Sequence, residues 1–367
     1  MENIKSLKKI LIIITGGTIC SFVNEYGEQE SDTKRAETLI VNNFRKGDSE
    51  FRYESIVEFD TESPLDILSE NMTITHLNTL INGIRSYDFS AYDGVIILHG
   101  TDTLAYTASL LSILLAGIKI PVFLVSSQLP LYNEKANGND NFKIATEHII
   151  KGIKPDIYVA YRNDEVVDGE NVSTMYIHYA AHLLQCPNHS DNFYSSDMHS
   201  VGEEEFYEGR KSQANEMLLY KCKELTNCVL KIIPYVGIDY SCYSLDGVKV
   251  VLHHTYHSST MPVNPYTKNP ALCEEQSIDY SRDSIMYLKK ICDKNTPETE
   301  LYIEPCNSEN AYLYETTGIA LRSGVKTSWR TTSEMAYSKL LIGCALGYKG
   351  EELQDFINKE INGEFIR

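Results

Sequence analysis

Two short turns in the sequence carry hydroxyl, carboxylate and glycine residues at close spacing. The first is a Thr-Gly-Gly-Thr turn at 15–18, which follows the apolar run Ile10–Ile14. The second is a Gly-Thr-Asp-Thr turn at 100–103, which follows the apolar run 95–98. A threonine hydroxyl attacks a carbonyl carbon when a neighbouring base or polariser takes its proton. Glycines let backbone N–H groups approach a small anion or an oxyanion. These residue types therefore indicate nucleophilic chemistry at the two turns.

The turn at 15–18 does not match a known phosphate-binding motif. It contains neither G-x-G-x-x-G nor G-x-x-x-x-G-K-[ST], the patterns that bind nucleotide phosphates. A glycine–threonine turn after a strand is also common in nucleotide-binding folds. Either turn taken alone could therefore be a structural connection without a catalytic role. Asp102, directly after Thr101, adds a carboxylate that could bind an amine or orient a proton relay.

The elements around these turns predict an α/β fold. Four apolar runs read as buried parallel strands, and two segments between them have helical periodicity. The strands are Ile10–Ile14, Gly94–Leu98, Val122–Val125 and Ile157–Ala160, and the helices are Thr103–Leu115 and Asn141–Lys151. Strand–helix alternation indicates an N-terminal α/β domain with a mostly parallel open sheet flanked by helices. Loops at the carboxyl ends of such strands converge on one ligand site, so both turns are expected to lie there.

A second strand–helix series predicts a smaller C-terminal α/β domain. Its strands are expected at Val229–Pro234, Val248–His254 and Glu300–Glu304. An amphipathic helix is expected at Ser333–Leu346, capped by Thr332 or Ser333. A charged stretch at about 195–213 separates the two series. We predict an N-terminal domain at 1–205, a linker at 206–226 and a C-terminal domain at 227–367, with a polar insertion at 264–282.

Composition excludes several classes of protein. The formal net charge of −18 repels phosphate backbones, so nucleic acid is not an expected partner. No apolar run approaches the roughly 18 residues that a membrane helix needs, and no membrane association is expected. The run at 10–14 is interpreted as a first strand rather than an export signal, because no small-residue cleavage pattern follows it.

Cysteine and histidine usage points to a cytoplasmic protein without a metal. The nine cysteines are scattered and form no C-x-x-C pair, which favours reduced thiols in a cytosol over disulfides or a zinc site. His253, His254 and His257 are interpreted as ordinary strand or loop histidines rather than metal ligands.

Taken together, the motifs resemble the bacterial asparaginase family. The resemblance rests on Thr-Gly-Gly-Thr-Ile at 15–19 and His-Gly-Thr-Asp-Thr at 99–103. It extends to 121–131, to Ser-Glu-Asn-Met at 69–72, and to 331–346, which contains Glu334 and Lys339. It therefore covers nearly the whole chain, and Ser-Gln-x-Pro-Leu at 127–131 resembles the cytoplasmic type I branch.

The resemblance implies a function and a set of roles. The chain would hydrolyse the side-chain amide of asparagine or a related amino acid to the acid and ammonia. Thr18 would be the nucleophile, Tyr26 would polarise it, and Thr101 would belong to a second threonine relay. Ser69 would hold the substrate α-carboxylate and Asp102 its α-ammonium, while backbone N–H groups near the two threonines would stabilise the oxyanion. The resemblance further implies a homodimer or homotetramer without cofactor or metal.

Three positions depart from the family pattern. The second relay of the family contains a lysine after a Gly-x-x-x-x stretch, and Thr174 stands in its place here. Loss of one charge partner in a desolvated site typically costs about 2–4 kcal/mol, or roughly 30- to 1000-fold in rate. Tyr176 or His178 are the candidates to compensate. Glu70 replaces a residue that is often neutral, and His-Ser-Ser-Thr at 257–260 replaces a glycine-rich turn that lines the family's site.

These departures keep two alternatives open beside asparagine hydrolysis. Thr174 motivates a catalytically weakened homologue that binds an amino acid and acts as a sensor or partner protein. Glu70 is predicted to contact the substrate together with Ser69 and Asp102. Glu70 and the altered turn at 257–260 motivate a hydrolase of a different amide substrate.

Overall fold

A computed structural model describes residues 7–46, 56–196, 198–200, 214, 216–263, 280–304 and 314–366. Two compact units divide the chain, each with its own sheet. Unit 1 comprises Met1–Cys222 with Ile361–Glu364, and unit 2 comprises Lys223–Glu360 with Phe365–Arg367. Residues 206–213 and 215 of the predicted linker and residues 264–279 of the predicted insertion lie outside the described residues, and the domain limits stay predictions.

Unit 1 is built on a seven-stranded sheet with the strand order β4-β1-β5-β6-β7-β8-β9. Its first five strands in that order pair in parallel, while β8 and β9 are antiparallel. The strands of the sheet are β1 (Lys8–Ile14), β4 (Val57–Glu62), β5 (Gly94–Leu98), β6 (Val122–Val125), β7 (Ile157–Val167), β8 (Glu170–Tyr179) and β9 (Met198–Ser200); β2 (Ser21–Val23) and β3 (Gln29–Ser31) form a separate hairpin. The helices are α1 (Thr33–Lys46), α2 (Ile74–Ser86), α3 (Leu104–Leu114) and α4 (Gly138–Ile150). The predicted mostly parallel open sheet flanked by helices is confirmed.

The central strands are buried on both faces, which explains their continuous apolar sequences. Ile12 and Leu98 belong to a core cluster that also contains Phe44 of α1 and Phe142 of α4. The other residues of Ile10–Ile14 in β1 and of β5 are buried as well, and Ile13 is fully inaccessible to solvent. Burial on both faces fixes the register of each strand, and with it the position of the turn that follows.

The sequence underestimated the last parallel strand. β7 runs to Val167, well beyond the predicted end at Ala160, and forms a long antiparallel ladder with β8. Asp168 and Gly169 connect the two strands with φ values of 53° and 85°. Two consecutive residues with positive φ are the signature of a tight hairpin turn. In this ladder Thr174 lies opposite Asn163.

Unit 2 contains a four-stranded parallel sheet in the order β10-β11-β12-β13. The strands are β10 (Val229–Ile232), β11 (Val250–His254), β12 (Glu300–Glu304) and β13 (Lys326–Thr327), and the helices are α5 (Ile285–Lys294), α6 (Glu315–Arg322), α7 (Ser333–Leu346) and α8 (Gly350–Ile357). The predicted second α/β unit is therefore present, with strands that end within two residues of the predicted limits.

Helix α7 begins and ends where the sequence predicted, but its predicted amphipathic character is wrong. Thr332 is the N-cap, and its hydroxyl accepts a hydrogen bond from the Met335 N–H. Buried residues occur around the whole circumference of the helix, and even Lys339 is inaccessible to solvent. The Lys339 ammonium donates to the carbonyl of Lys359 at 2.7 Å. A helix that is buried all round shows no single apolar stripe, so periodicity misjudges it.

No helix within the described ranges has both the length and the apolar character needed to cross a bilayer. All seven cysteines in those ranges are free thiols.

Candidate functional site

The two threonine turns touch each other at the carboxyl ends of β1 and β5. A Cβ atom placed on Gly17 would lie 2.2 Å from the Gly100 Cα atom. β1 and β5 are neighbouring strands in parallel register, with Ile14 opposite Leu98, so their following turns must meet. Gly17 also has φ 84°, a conformation that disfavours any residue with a Cβ. The fold therefore brings together the two turns that the sequence identified.

The segment that carries Ser69 is held by the first turn. Gly17 N–H donates to the Ile67 carbonyl at 2.7 Å, and Ile67 N–H donates to the Thr15 carbonyl at 3.2 Å. These bonds form an isolated parallel bridge between Gly16 and Ile67. Two residues later, Ser69 packs so tightly against Gly100 that a Cβ there would lie 2.4 Å from the serine Oγ.

Ser69 and Asp102 form a direct hydrogen-bonded pair. Ser69 Oγ donates to Asp102 Oδ2 at 2.8 Å and accepts from the Asp102 N–H at 3.2 Å. Thr103 Oγ1 donates to the Ser69 carbonyl at 3.1 Å. Ser69 is 4% exposed, whereas Asp102 faces solvent. Because the serine proton is engaged by Asp102, Ser69 must release that bond before its hydroxyl can donate to a substrate carboxylate.

His99, the residue that precedes the second turn, is buried and anchors it through two hydrogen bonds. Its Nδ1 lies 2.8 Å from the Gly100 carbonyl and its Nε2 lies 2.9 Å from Thr107 Oγ1. Burial lowers the pKa of His99 to about 4, so the imidazole is neutral at pH 7. A neutral ring donates once and accepts once, which fits Nδ1–H on the carbonyl and the threonine hydroxyl donating to Nε2. His99 therefore positions the turn.

Both candidate threonine hydroxyls remain available to a ligand. Thr18 and Thr101 are partly exposed, and neither hydroxyl bonds to another residue of the described ranges. Their backbone N–H groups also have no partner there, whereas the Gly17 N–H is used by Ile67. Thr18 opens a single-turn 3-10 helix, Thr18–Cys20, in which its carbonyl accepts from Ser21 Oγ at 3.0 Å. The arrangement offers two hydroxyls and two N–H donors at adjoining turns.

No hydrogen bond joins Tyr26 to Thr18 within the described residues. It lies in the β2–β3 hairpin that directly follows the Thr18 turn, and 78% of its surface is exposed. Asn24 Oδ1 accepts from the Tyr26 N–H at 3.0 Å and from the Glu28 N–H at 2.9 Å, which closes the hairpin. The described structure therefore leaves Thr18 without a side-chain base beside it.

Thr174 lies within β8, which is three strands from β5 in the order of the unit 1 sheet. It is half-buried on β8. On the same strand, Tyr176 packs against His178 with 5.9 Å between ring centroids, and His178 Nδ1 lies 3.0 Å from Ser195 Oγ. Within the part of the chain that the structure describes, the Asp102 carboxylate has no salt bridge. None of the described residues therefore supplies, through a salt bridge to Asp102, the positive charge that the relay lysine has in the family.

Two further polar groups flank the second turn. Gln185 Nε2 donates to the Asp102 carbonyl at 2.6 Å, while its Oε1 is buried without a partner in the described ranges. Ser126, at the end of β6, likewise has a buried hydroxyl without a partner there. Buried polar groups are costly unless paired, so these two atoms mark places where a ligand or water would bind. Gln185 lies in no motif, whereas Ser126 lies in the 121–131 segment that carries the resemblance but was given no role there. Glu70, by contrast, is exposed and has no hydrogen bond or ion pair within the described residues.

The histidines of unit 2 behave as strand and loop residues. His253 is buried, with Nε2 2.8 Å from the Tyr240 hydroxyl and Nδ1 2.5 Å from the His254 carbonyl. His257 is exposed in the predicted altered turn, where Ser259 adopts φ 59°. No group of three potential metal-ligating side chains occurs within the described ranges.

Gly17→Ala should destabilise unit 1 severely. The new methyl would collide with the Gly100 backbone, which cannot move as a flexible side chain would. We expect a loss of about 3 kcal/mol or more in the free energy of unfolding, measured by chemical denaturation. Gly27→Ala is the matched control: Gly27 has φ 79° but no atom within 4 Å of the added carbon. It should cost only about 1 kcal/mol; equal losses would show that the two turns are not in tight contact.

Comparison with known proteins agrees with the motifs. A family profile described as "Asparaginase, N-terminal" matches residues 9–194, just over half of the chain. L-asparaginase of Thermococcus kodakarensis is 33% identical over 170 residues, which span 46% of this chain and 48% of that protein. L-asparaginase 1 of Escherichia coli K12 is 32% identical over 135 residues, 36% of this chain and 38% of that protein. Each match thus spans less than half of the relative's own length.

Similarity of structure extends further than similarity of sequence. The solved structure of the thermostable L-asparaginase from Thermococcus kodakarensis superposes with a TM-score of 0.68 and 20% sequence identity. The superposition covers 97% of this chain and 99% of that one. At this identity the likeness establishes a shared fold.

Proposed function

Because the chain belongs to the asparaginase family, we propose that it hydrolyses the side-chain amide of a small amino acid, with Thr18 as the nucleophile. The observation that supports this most strongly is the contact between the two threonine turns. The two turns carry Thr18, Thr101 and Asp102 at the carboxyl ends of β1 and β5, and Ser69 is hydrogen-bonded to Asp102 there. The first test is ammonia release from L-asparagine, L-glutamine and D-asparagine. No release from any of them would contradict the proposal.

The chemistry requires two steps at Thr18. Its Oγ attacks the amide carbon, the C–N bond breaks, and the hydroxyl proton leaves with ammonia. Water then hydrolyses the threonine ester, which returns the proton to Oγ and releases the acid. The free N–H groups of Thr18 and Thr101 are suited to bind the oxyanion that forms in each step.

Asp102 is proposed to bind the α-ammonium of the substrate. Its carboxylate is exposed, is oriented by Ser69, and has no salt bridge within the described ranges. Asp102→Asn should keep the Ser69 hydrogen bond but lose the charge. We expect kcat/KM to fall roughly 10- to 100-fold, mostly through KM, since an exposed ion pair is partly screened. Asp88→Asn changes the net charge equally, before β5, and should leave the kinetics unchanged; the same loss there would refute a local role for Asp102.

Tyr26 is proposed to move onto Thr18 when substrate binds. The support is its place on a short exposed hairpin that begins three residues after Thr18. Tyr26→Phe removes only the hydroxyl, and should lower kcat at least about tenfold without changing the melting temperature. An unchanged kcat would remove Tyr26 from the mechanism.

One observation favours a second candidate, a weakened homologue that binds an amino acid without efficient turnover. Within the described residues Asp102 forms no salt bridge, and Thr174, which stands at the place of the family's relay lysine, is uncharged. Calorimetry that detects asparagine binding, together with negligible ammonia release, would favour this candidate. Substrate identity is a third question: if Glu70→Gln leaves the ranking of amides unchanged, Glu70 does not select the substrate.

We further propose a cytoplasmic homodimer or homotetramer. Free thiols throughout the described ranges fit a reducing compartment. Light scattering after size exclusion tests the assembly, and a monomer at assay concentration would contradict it.

A further inference from the structure

Unit 2 brings a serine, a histidine and a glutamate into one chain of contacts. Ser333 Oγ lies 2.7 Å from His254 Nε2, and His254 Nδ1 lies 3.2 Å from Glu304 Oε2. The imidazole therefore contacts the hydroxyl through Nε2 at hydrogen-bond distance, while Nδ1 lies at ion-pair distance from the carboxylate without a hydrogen bond to it. A nucleophile with a base beside it, and a carboxylate near that base, resembles the general arrangement of an activated nucleophile.

The fold of unit 2 dictates this arrangement. His254 and Glu304 are the last residues of the neighbouring strands β11 and β12 and are direct partners in their parallel register. Thr255 Oγ1 donates to the Glu304 carbonyl at 2.7 Å, which fixes the two strand ends together. Ser333 is the first residue of α7, placed there by the Thr332 cap. The three side chains thus come from the rigid ends of three elements.

The beginning of α7 also supplies unpaired N–H groups. The cap uses the Met335 N–H, and the Ala336 N–H donates to the Thr332 carbonyl. The N–H groups of Ser333 and Glu334 have no partner within the described residues. Free N–H groups at the start of a 14-residue helix favour negative charge. An oxyanion formed at Ser333 would therefore have donors beside it.

Protonation states agree with a base at His254. Burial, with the nearby Lys231, lowers the pKa of His254 to about 4, so its ring is neutral at pH 7. The His254 side chain is 24% exposed and that of Glu304 is 11% exposed, while Ser333 is partly exposed. The ring is therefore unprotonated and can accept a proton, although the lowered pKa makes it a weak base, and a small reagent can reach the hydroxyl.

We propose that Ser333, His254 and Glu304 form a second nucleophilic site, separate from the threonine turns, that acts on small uncharged carboxylic esters. Esters fit because an alkoxide is a better leaving group than an amide nitrogen, and His254 can return the one proton that the alcohol needs. An uncharged acyl group fits because Lys231 pairs with Glu334 at 3.7 Å, which leaves Glu304 as a nearby acidic group that repels anions.

Ester hydrolysis at Ser333 takes two steps. Ser333 Oγ forms a bond to the carbonyl carbon and its proton moves to His254 Nε2. The bond from carbon to the alcohol oxygen breaks, and the alcohol leaves with that proton. Water then attacks the serine ester, gives one proton to His254 Nε2 and releases the carboxylic acid, after which Oγ regains its proton. The sum is ester plus water to acid plus alcohol.

A purely structural polar cluster is the competing outcome. Ser333 Oγ also lies 3.1 Å from Glu304 Oε1, so the hydroxyl could simply donate to the carboxylate. Such a cluster would not raise the reactivity of Ser333 above that of an ordinary serine. Ser241 provides the comparison, because it is exposed and donates to Asp239 Oδ1 at 2.6 Å.

The experiment treats the full-length protein with a small alkyl fluorophosphonate. The reagent loses fluoride and leaves a stable phosphonate ester on an activated serine, which peptide mass spectrometry locates. We expect Ser333 to label at least about 100-fold faster than Ser241. His254→Gln should lower the Ser333 rate at least about tenfold. In the Thr18→Ala variant the reagent should still label Ser333. This result would distinguish a failure of the present proposal from a failure of the proposal on amide hydrolysis.

A pH profile of the wild-type protein keeps the proposal testable if a substitution prevents folding. Burial raises the pKa of Glu304 to about 7; Glu334 of α7 adds to this, while Lys231 of β10 and Ser333 of α7 oppose it, and His254 of β11 faces the same carboxylate. Labelling should therefore rise several-fold between about pH 6 and pH 8 as Glu304 ionises. A Ser333 rate equal to that of Ser241, a flat profile, or full labelling of folded His254→Gln would each overturn the proposal.

Discussion

Thr18→Ala should lower ammonia release at least about 1000-fold, because it removes the hydroxyl that is proposed to form the covalent ester. The loss should appear in kcat. The Thr18 hydroxyl bonds to no other described residue, so its removal should barely change the melting temperature. Steady-state ammonia release with L-asparagine, together with thermal unfolding, measures both quantities.

Thr18→Ser is the matched control for this result. It keeps the hydroxyl and removes only the methyl group, so most of the activity should return. Thr15 offers the opposite comparison, since its hydroxyl donates to the Leu98 carbonyl at 2.9 Å. Thr15→Ala should therefore lower stability more than Thr18→Ala does. Undiminished ammonia release from Thr18→Ala would exclude Thr18 as the nucleophile.

Thr174→Lys should raise ammonia release by roughly 30- to 1000-fold if the uncharged residue limits the chemistry. The physical reason is that an ammonium near Asp102 contributes about 2–4 kcal/mol once a bound substrate has excluded water from the site. The gain should appear in kcat, because the proposed Thr101 relay acts on the chemical step. Ammonia release by the variant and the wild type, assayed side by side, gives the ratio.

Ser173→Lys is the control for that gain. Neighbouring residues on a strand point to opposite faces, and Ser173 donates instead to Asp164 at 2.6 Å. It adds the same charge on the wrong side of β8 and should give no increase. A healthy wild-type rate with no gain from Thr174→Lys would discard the weakened-homologue candidate.

Much of the fold follows from local sequence. Gly94–Leu98 and Val122–Val125 begin and end as predicted, because buried central strands have uninterrupted apolar sequences bounded by polar or turn residues. The β7–β8 hairpin was missed because its outer half is exposed and mixes charged and polar residues with Val166, Val167 and Val172. An exposed antiparallel extension has no apolar run to reveal it.

The site was predictable only as far as single turns allow. The parallel sheet places the turns at 15–18 and 100–103 side by side, as topology requires. The hydrogen bonds from Ser69 to Asp102 depend on the Gly16–Ile67 bridge, which no sequence pattern encodes. Gln185 reaches Asp102 across more than eighty residues of chain and lies outside every motif. Such contacts arise from tertiary packing rather than from local propensity.

The contacts of Ser333 illustrate the same limit in unit 2. Its partners His254 and Glu304 are distant in sequence and meet only through the register of β11 with β12. The sequence placed His254 among ordinary strand histidines, and the neighbouring His253 fits that description. Neighbouring strand residues point to opposite faces, so His253 contacts Tyr240 whereas His254 contacts Ser333.

A covalent ester at Thr18 is the central claim, and its direct detection is the most decisive measurement. The protein should be quenched in acid during turnover of L-asparagine and digested, and its peptides analysed by mass spectrometry. The peptide that contains Thr18 should carry one added aspartyl group, absent from Thr18→Ala. Ammonia release without that adduct, or an aspartyl group on Thr101 instead, would contradict the account.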